Sequence, residues 1–142
     1  MLLSVTEELS AAEAGVLLVG PGANRLSFEL DACRFTAAEP NWDAGETEED
    51  HCRNINRATV HNRSARALVV HPGEYEFLVS NSAFERPLGF WLRREDDPNT
   101  PILTGGGAQF GASKSWSAEL LPGRYIYSCP LSPTPDYLLI VR

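Results

Sequence analysis

Short segments in which apolar and polar residues alternate constrain the fold of this chain more than any other feature. Leu26, Phe28 and Leu30 alternate with polar neighbours, and apolar residues recur in the same way across residues 75–79. A period of two is typical of a β-strand that buries one face. Other short segments that we predict to be strands are residues 16–19, 57–60, 67–70, 88–92, 116–120, 125–129 and 137–141. The pattern therefore predicts an all-β protein.

Turn-forming residues separate these segments at fairly regular intervals. Clusters of proline, glycine or asparagine stand at residues 20–22, 72–73, 98–99, 105–107, 122–123 and 133–135. Many short strands with such separation are typical of a sandwich or barrel. The length of 142 residues favours one domain. We therefore predict a single domain over residues 1–142 with an antiparallel Greek-key β-sandwich fold.

Two segments do not follow the strand pattern. Residues 1–14 form an N-terminal extension that suits either a short helix, capped by Ser4 or Thr6, or a strand followed by a loop. Residues 36–57 contain the acidic run 46–50 and show no periodicity. We expect a long acidic loop there, with room for a short helical turn over residues 46–53. Loops of this length are often functional, although a solvated surface loop is the simpler interpretation.

Composition and charge argue against two classes of function. The chain carries a net charge of −7 at pH 7, which repels phosphate backbones and argues against a nucleic-acid partner. No apolar run approaches the roughly 20 residues of a membrane-spanning helix. Glu7 and Glu8 stand where a signal peptide would carry basic residues. The sequence therefore indicates a cytoplasmic protein, or the mature or excised form of a periplasmic or other extracytoplasmic domain.

A weak internal echo links two turns. The segment HPGEYEF at residues 71–77 parallels LPGRYIY at residues 121–127, and each places a tyrosine two residues after a Pro-Gly pair. Proline presets one turn dihedral, and glycine permits a positive φ. The second segment also suits a tyrosine corner, in which the Tyr125 hydroxyl bonds to nearby backbone at a Greek-key crossover. We interpret both segments as architecture rather than chemistry.

The second half of the chain resembles the cupredoxins. Residues 121–130, LPGRYIYSCP, and the final strand at 137–141 are similar to that family's Pro-Gly turn, aromatic strand, ligand-bearing loop and last strand. Residues 75–81, ending at Asn81, and the segment PLGF at 87–90 are similar to its asparagine-containing strand end and its first ligand position. The resemblance covers residues 67–141, about half of the chain. It implies a cupredoxin-like sandwich.

The resemblance also implies where a type 1 copper site would lie, and most of its ligands are missing. Such a site needs two imidazoles and a thiolate, usually with a weak axial thioether. Cys129 matches the thiolate position, but Leu88 stands at the first imidazole position. Residues 131–134, where the second imidazole is expected, contain no histidine, and Met1 is the only methionine. We therefore expect no cofactor, with copper as the alternative.

The other two cysteines leave three possibilities open. A disulfide between Cys33 and Cys52 would pin the acidic loop, or both residues could be buried thiols. The third possibility is a zinc or copper site in which His51 and Cys52 act with nearby carboxylates. Adjacent residues rarely bind one ion with good geometry, so the metal site is the least favoured of the three.

A protein interface is favoured over catalysis. The sequence contains no GxSxG nucleophile elbow and no P-loop, so we do not predict an enzyme. Aromatic and arginine side chains are favoured at protein interfaces, and prolines stiffen the loop at residues 130–135. The interface candidates are Phe84, Arg86, Trp91, Arg93, Pro133 and Pro135.

These observations together favour a non-catalytic, cupredoxin-like binding module. We expect an accessory subunit with a protein partner in a larger assembly, such as a membrane-associated redox complex. The alternative is a metal-binding or electron-transfer protein with a non-standard copper or zinc site that uses Cys129 or the pair His51 and Cys52.

Overall fold

The computed structural model describes residues 3–20, 23–45, 51–82, 88–108, 111–130 and 134–142. Within these ranges the chain forms eleven strands, one α-helix and a 3-10 turn. The strands are β1 (Ser4–Ser10), β2 (Leu17–Gly20), β3 (Ala23–Asp31), β4 (Arg34–Phe35), β5 (Ser64–Val70), β6 (Gly73–Asn81), β7 (Leu88–Arg94), β8 (Asp97–Ala108), β9 (Ser113–Leu120), β10 (Gly123–Ser128) and β11 (Tyr137–Val141). The helix α1 spans Cys52–Thr59, and the 3-10 turn follows at Val60–Asn62.

The strands form two sheets that pack face to face, which confirms the predicted sandwich. One sheet has the order β1-β5-β11-β10-β7-β8, and the other has the order β2-β3-β6-β9 with β4 beside β3. Most neighbouring strands are antiparallel, but the pairs β1–β5, β5–β11 and β3–β6 are parallel. The sheets are therefore mixed, whereas the sequence predicted antiparallel strands. Parallel neighbours need crossover connections, and the chain between β3 and β6 supplies one by passing through α1 and β5.

Aromatic side chains fill the space between the sheets. Phe28 of β3 lies against Tyr127 of β10, with ring centroids 4.8 Å apart, and stacks on Phe90 of β7 at 5.8 Å. Trp116 of β9 stacks on Phe90 at 6.0 Å and closes one side of the cluster. Burial of each such ring contributes about 1.5–3 kcal/mol. The buried faces of β3 and β6 are the faces that the alternation predicted.

Two tyrosines fix the turns at one end of the sandwich. The Tyr125 hydroxyl donates to the Leu121 carbonyl oxygen at 2.7 Å, as a tyrosine corner requires. The Tyr75 hydroxyl donates to the His71 carbonyl oxygen at 2.6 Å. The glycine after each proline has a φ of 154°, a conformation that favours glycine. The sequence echo therefore reflects one turn structure that the fold uses twice.

The glycine run at residues 105–107 lies within β8 and does not form the turn that the sequence suggests. Gly105 pairs with Phe90 of β7, and a Cβ added at Gly105 would overlap the indole of Trp116. Glycine is required because the indole crosses the backbone at this point. Residues 98–99, also predicted as a turn, lie in the same strand. β8 accommodates Pro98 and Pro101 because it is an edge strand.

In the first half of the chain, one predicted strand is a helix in the structure, and the N-terminal extension, for which a helix and a strand were both possible, contains a strand. Residues 57–60, predicted as a strand, belong to the end of α1 and to the 3-10 turn. Burial of Cys52 and Asn56, four residues apart, places one face of α1 against the sandwich. The predicted helical turn at 46–53 overlaps only the start of α1, and residues 46–50 lie outside the described residues. The N-terminal extension contains the strand β1.

No helix among the described residues is long and apolar enough to cross a membrane.

Candidate functional site

The connections that the resemblance associates with metal ligands meet at one end of the sandwich, opposite the two Pro-Gly turns. β10 ends there and β11 begins there, as does β7, which runs antiparallel to β10. In the other sheet, β6 ends and β9 begins at the corresponding position. We call this part of the molecule the loop end and define it as Asn81, Trp91 and residues 128–130 and 134–136. It is the candidate functional site.

Cys129 occupies the thiolate position that the resemblance implies, directly after β10. Its side chain is buried in the main hydrophobic core. Its backbone N–H donates to Thr134 Oγ1 at 3.0 Å, and the Thr134 N–H donates to the Cys129 carbonyl oxygen at 3.4 Å. These two bonds join the end of β10 to the segment that leads into β11.

Arg93, predicted as an interface residue, is instead buried beneath the loop end. Its Nη2 lies 2.7 Å from Asp136 Oδ1 and donates to Ser128 Oγ at 3.2 Å. The guanidinium also covers the ring of Trp91, 4.3 Å from its centroid, and the Arg93 side chain is only 8% exposed. A guanidinium held in this way joins the end of β10 and the segment before β11 to β7.

Asn81 ties a second connection to the loop end. It is buried at the end of β6, where its backbone N–H donates to the Ala112 carbonyl oxygen at 3.0 Å. Its own carbonyl oxygen accepts from the Gly111 N–H at 2.8 Å. These bonds hold the turn before β9 against the end of β6.

The side chains at the loop end do not provide the donor set of type 1 copper. Such a site takes two imidazoles with the thiolate, yet Leu88 and residues 130–136 supply none. The three histidines are exposed, with His51 before α1, His61 in the 3-10 turn and His71 at the opposite end of the sandwich. Among the described residues, no three His, Cys, Asp or Glu side chains form a group that could hold a metal ion. The residues present therefore do not fit copper at Cys129.

Cys33 and Cys52 are joined by a disulfide, one of the three possibilities that the sequence left open. Both cysteines are buried, and the bond fixes the start of α1 to the β3–β4 turn across 19 residues of sequence. In the chain-entropy account, closing a loop of this length stabilises the fold by about 3 kcal/mol. Because its sulfur is in the disulfide, Cys52 offers no thiolate, and the alternative metal site with His51 does not fit the oxidised protein.

A buried ion pair, which the sequence reasoning missed, holds the segment between β4 and β5. Arg63 Nη2 lies 2.6 Å from Glu39 Oε1, and Arg63 Nε donates to Glu39 Oε2 at 2.8 Å. The two side chains are 1% and 0% exposed. Arg63 also donates to Asn56 Oδ1 at 2.6 Å, and its guanidinium lies over the Trp42 ring. The pair therefore joins α1 and the start of the long loop to the sandwich.

Tyr137, the first residue of β11, links this ion pair to the loop end. Its hydroxyl donates to Glu39 Oε1 at 2.5 Å and accepts from the Phe35 N–H at 3.3 Å. Burial, reinforced by the adjacent Glu39 charge, raises the pKa of Tyr137 well above its usual value, so the phenol remains a neutral donor. No periodic pattern or motif marks Glu39 or Arg63, which are 24 residues apart in the sequence.

The remaining interface candidates lie in different settings. Trp91 is half-buried, and Pro135 is buried. Three others, Phe84, Arg86 and Pro133, lie outside the described residues.

The chain resembles proteins of known structure in fold and not in sequence. No protein-family model matches the chain, and no curated protein sequence matches it. Rusticyanin from Thiobacillus ferrooxidans is 12% identical over 94% of this chain and 95% of its own, with a TM-score of 0.51. A structure of substituted rusticyanin is 12% identical over 99% of both chains, also with a TM-score of 0.51.

An amicyanin variant in the reduced state is 15% identical over 94% of this chain and 90% of its own, with a TM-score of 0.48. Sequence identities this low support a conclusion about the fold and none about function. The two rusticyanin structures, taken with the two mixed sheets of the sandwich, show that this chain has a cupredoxin-like fold.

Proposed function

We propose that the chain is a non-catalytic, cupredoxin-like binding module without type 1 copper, acting as an accessory subunit of a larger assembly such as a membrane-associated redox complex. The construction of the loop end carries this proposal. Where the resemblance implies copper ligands, Thr134 and the Arg93–Asp136 ion pair hold the connection after Cys129. These contacts join the described residues on either side of this connection, 128–130 and 134–136, to each other and to β7.

A loop end whose described residues are held by contacts within the chain suits recognition of a protein partner. Groups that are fixed before binding lose less conformational entropy when a complex forms. The Trp91 ring is half-buried and held by the guanidinium of Arg93. Trp91 pairs with Ser128, two residues before the exposed Pro130. Tryptophan is enriched among the residues that contribute most to interfaces, so we place the contact on Trp91 and Pro130.

Two further observations bear on the compartment in which the protein acts and on the charge of its partner. Disulfides persist mainly in oxidising compartments, so the bond between Cys33 and Cys52 favours the extracytoplasmic alternative over the cytoplasmic one. The net charge of −7 favours a partner with a basic docking face, because complementary potentials guide association.

Affinity capture from an extract of the native host tests the proposal. The tagged protein should retain a stoichiometric protein partner, and Trp91→Ala should lower its recovery by about tenfold or more, the effect of an interface residue worth above 1.4 kcal/mol. Leu121→Ala is the matched control, because Leu121 is an exposed apolar residue at the opposite end of the sandwich.

Equal recovery with both variants would remove Trp91 from the contact. Absence of any stoichiometric partner, from soluble and membrane fractions alike, would contradict the role as an accessory subunit.

A further inference from the structure

An opening lies between the two sheets at the end of the sandwich that carries the Pro-Gly turns, away from the loop end. One wall comes from the end of β5 and residues 71–72, and the facing wall comes from β2 and the beginnings of β3 and β6. The turn after β1, at residues 11–12, closes a third side. The space measures about 440 Å³. That volume lies within the range of about 300–1,000 Å³ found for sites that bind small molecules.

The turn after β1 joins the two walls on one side of the opening. The Ala11 N–H donates to the Val69 carbonyl oxygen of β5 at 3.2 Å. The Ala11 carbonyl oxygen accepts from the Leu17 N–H of β2 at 3.1 Å. One residue of the turn therefore connects β5 to β2.

The second sheet joins the walls on the other side. Asn24 of β3 pairs with Val19 of β2 and with Tyr75 of β6. The Tyr75 hydroxyl then donates to the His71 carbonyl oxygen at 2.6 Å, which returns to the segment after β5. Because residues 17–19 and 69–71 are continuous chain, these contacts form a closed ring around the opening. A site that is formed before binding loses less conformational entropy when a ligand enters.

The surface that a ligand would meet in this opening is mainly apolar. Val19 is 72% exposed, which makes it the most exposed large apolar residue that the structure describes. Leu17 and Val69 are half-buried, and Pro72 is exposed. Each of these side chains lines the opening and is open to contact. Covering apolar surface that now faces water would favour binding of an apolar group.

The charged groups at the rim already neutralise each other. The Arg142 N–H donates to the Val70 carbonyl oxygen at 3.0 Å, which places Arg142 beside the opening. Its Nη2 lies 2.8 Å from Glu8 Oε2. An anionic ligand would compete with Glu8 and meet the net charge of −7, and a cationic ligand would meet Arg142 itself. The rim therefore favours a ligand without net charge.

We propose that this opening binds a small, neutral, largely apolar molecule. Its apolar part would contact Leu17, Val19 and Val69. The half-buried Asn24 and the exposed His71 line the same opening and provide hydrogen-bonding groups for one polar atom of the ligand. A mostly apolar wall with a few polar groups that fix orientation is the usual composition of a small-molecule site. The site lies at the opposite end of the sandwich from Trp91, so it is independent of the proposed protein contact.

Titration of the ¹⁵N-labelled protein with indole, followed by NMR, tests the proposal. Indole is neutral and apolar and carries one N–H donor. It should shift the backbone amides of residues 11, 17, 19, 69 and 71. A fragment of this size is expected to bind with a Kd on the order of 1 mM. Indole-3-carboxylate and tryptamine present the same ring with a negative and a positive charge, and each should bind at least about threefold more weakly.

Two exposed residues of β2 provide a matched pair of variants. Val19→Asn makes the mouth of the opening polar and should weaken indole about 3- to 10-fold. Leu18→Asn is the control, because Leu18 is 55% exposed and neighbouring side chains of a strand point to opposite faces. It should leave indole affinity unchanged. Unfolding in urea confirms that both variants remain folded.

Glu8→Gln tests the argument about charge separately. The substitution removes the carboxylate that pairs with Arg142. It should therefore strengthen indole-3-carboxylate about threefold and leave indole unchanged.

Four results would overturn the proposal. The first is the absence of shifts around the opening at about 10 mM indole, tenfold above the expected Kd. The second is equal affinity for indole and its two charged counterparts. The third is an equal effect of Val19→Asn and Leu18→Asn on indole affinity. The fourth is unchanged affinity for indole-3-carboxylate in Glu8→Gln.

Discussion

Replacing Glu39 with glutamine should destabilise the domain strongly. The substitution preserves the shape of the side chain but turns an amide N–H₂ group toward the guanidinium donors of Arg63. It also leaves the Arg63 charge buried without its counter-charge, since that side chain is 1% exposed. Breaking a buried ion pair in this way costs about 3–5 kcal/mol. Asn56 and the Trp42 ring still contact Arg63, so we expect a loss of about 3–4 kcal/mol.

Equilibrium unfolding in urea measures this loss directly. The melting temperature should also fall by about 10 °C, because a domain of this size shifts by roughly 3 °C per kcal/mol. The double variant Glu39→Leu/Arg63→Met removes both charges and should be more stable than Glu39→Gln, since apolar replacement of a buried pair is often neutral. Glu95→Gln breaks the exposed pair with Arg124 and should cost less than about 1 kcal/mol. A loss for Glu39→Gln no larger than this control would refute the reasoning.

Three other groups of substitutions test the remaining structure by urea unfolding. Tyr137→Phe should lower the free energy of unfolding by about 1–3 kcal/mol, because it removes a buried hydrogen bond to a charged group. Tyr127→Phe should leave the free energy of unfolding unchanged, since the Tyr127 hydroxyl has no partner among the described residues. Burial raises the pKa of the Tyr127 and Tyr137 phenols above 10.0, their usual value. The free energy of unfolding should therefore be constant below pH 10 and decline at higher pH by about 1.4 kcal/mol per pH unit for each phenol. The absorbance of these two phenolates should appear only when the protein unfolds. The double variant Cys33→Ser/Cys52→Ser should lower the free energy of unfolding by about 3 kcal/mol. An unchanged urea midpoint would contradict the disulfide. Gly105→Ala should lower the free energy of unfolding by about 1–3 kcal/mol, because the added Cβ overlaps the Trp116 indole. An unchanged free energy of unfolding would contradict that contact.

The sandwich could be predicted from the sequence because local patterns encode most of its strands. Alternation identified β3, β6 and β9, and the Pro-Gly-x-Tyr echo identified the Tyr125 corner and its counterpart at Tyr75. β8 escaped prediction because its prolines and glycines are ordinarily turn residues. They are tolerated at a sheet edge, and Gly105 is required by an indole that is distant in sequence. Only the three-dimensional packing contains that information.

The candidate site was less predictable because its contacts are long-range. The sequence could place Cys129 after an aromatic strand, and it could indicate that imidazoles are missing near it. It could not indicate that Arg93 is buried against Asp136, because outward positions on a strand are ordinarily exposed. Glu39 and Arg63 carry no local signal either, since each lies in a segment without periodicity and depends on the other for its burial.

Copper binding by the protein with a reduced Cys129 tests the central claim most directly. Cu(II) is added to the wild type and to Cys129→Ser, visible absorption is recorded, and the retained metal is measured after desalting. The account predicts no intense thiolate-to-copper band and no stoichiometric metal in either protein, because the loop end offers one thiolate and no imidazole. An intense band with one retained copper in the wild type, lost in Cys129→Ser, would contradict the account and make electron transfer the function to pursue.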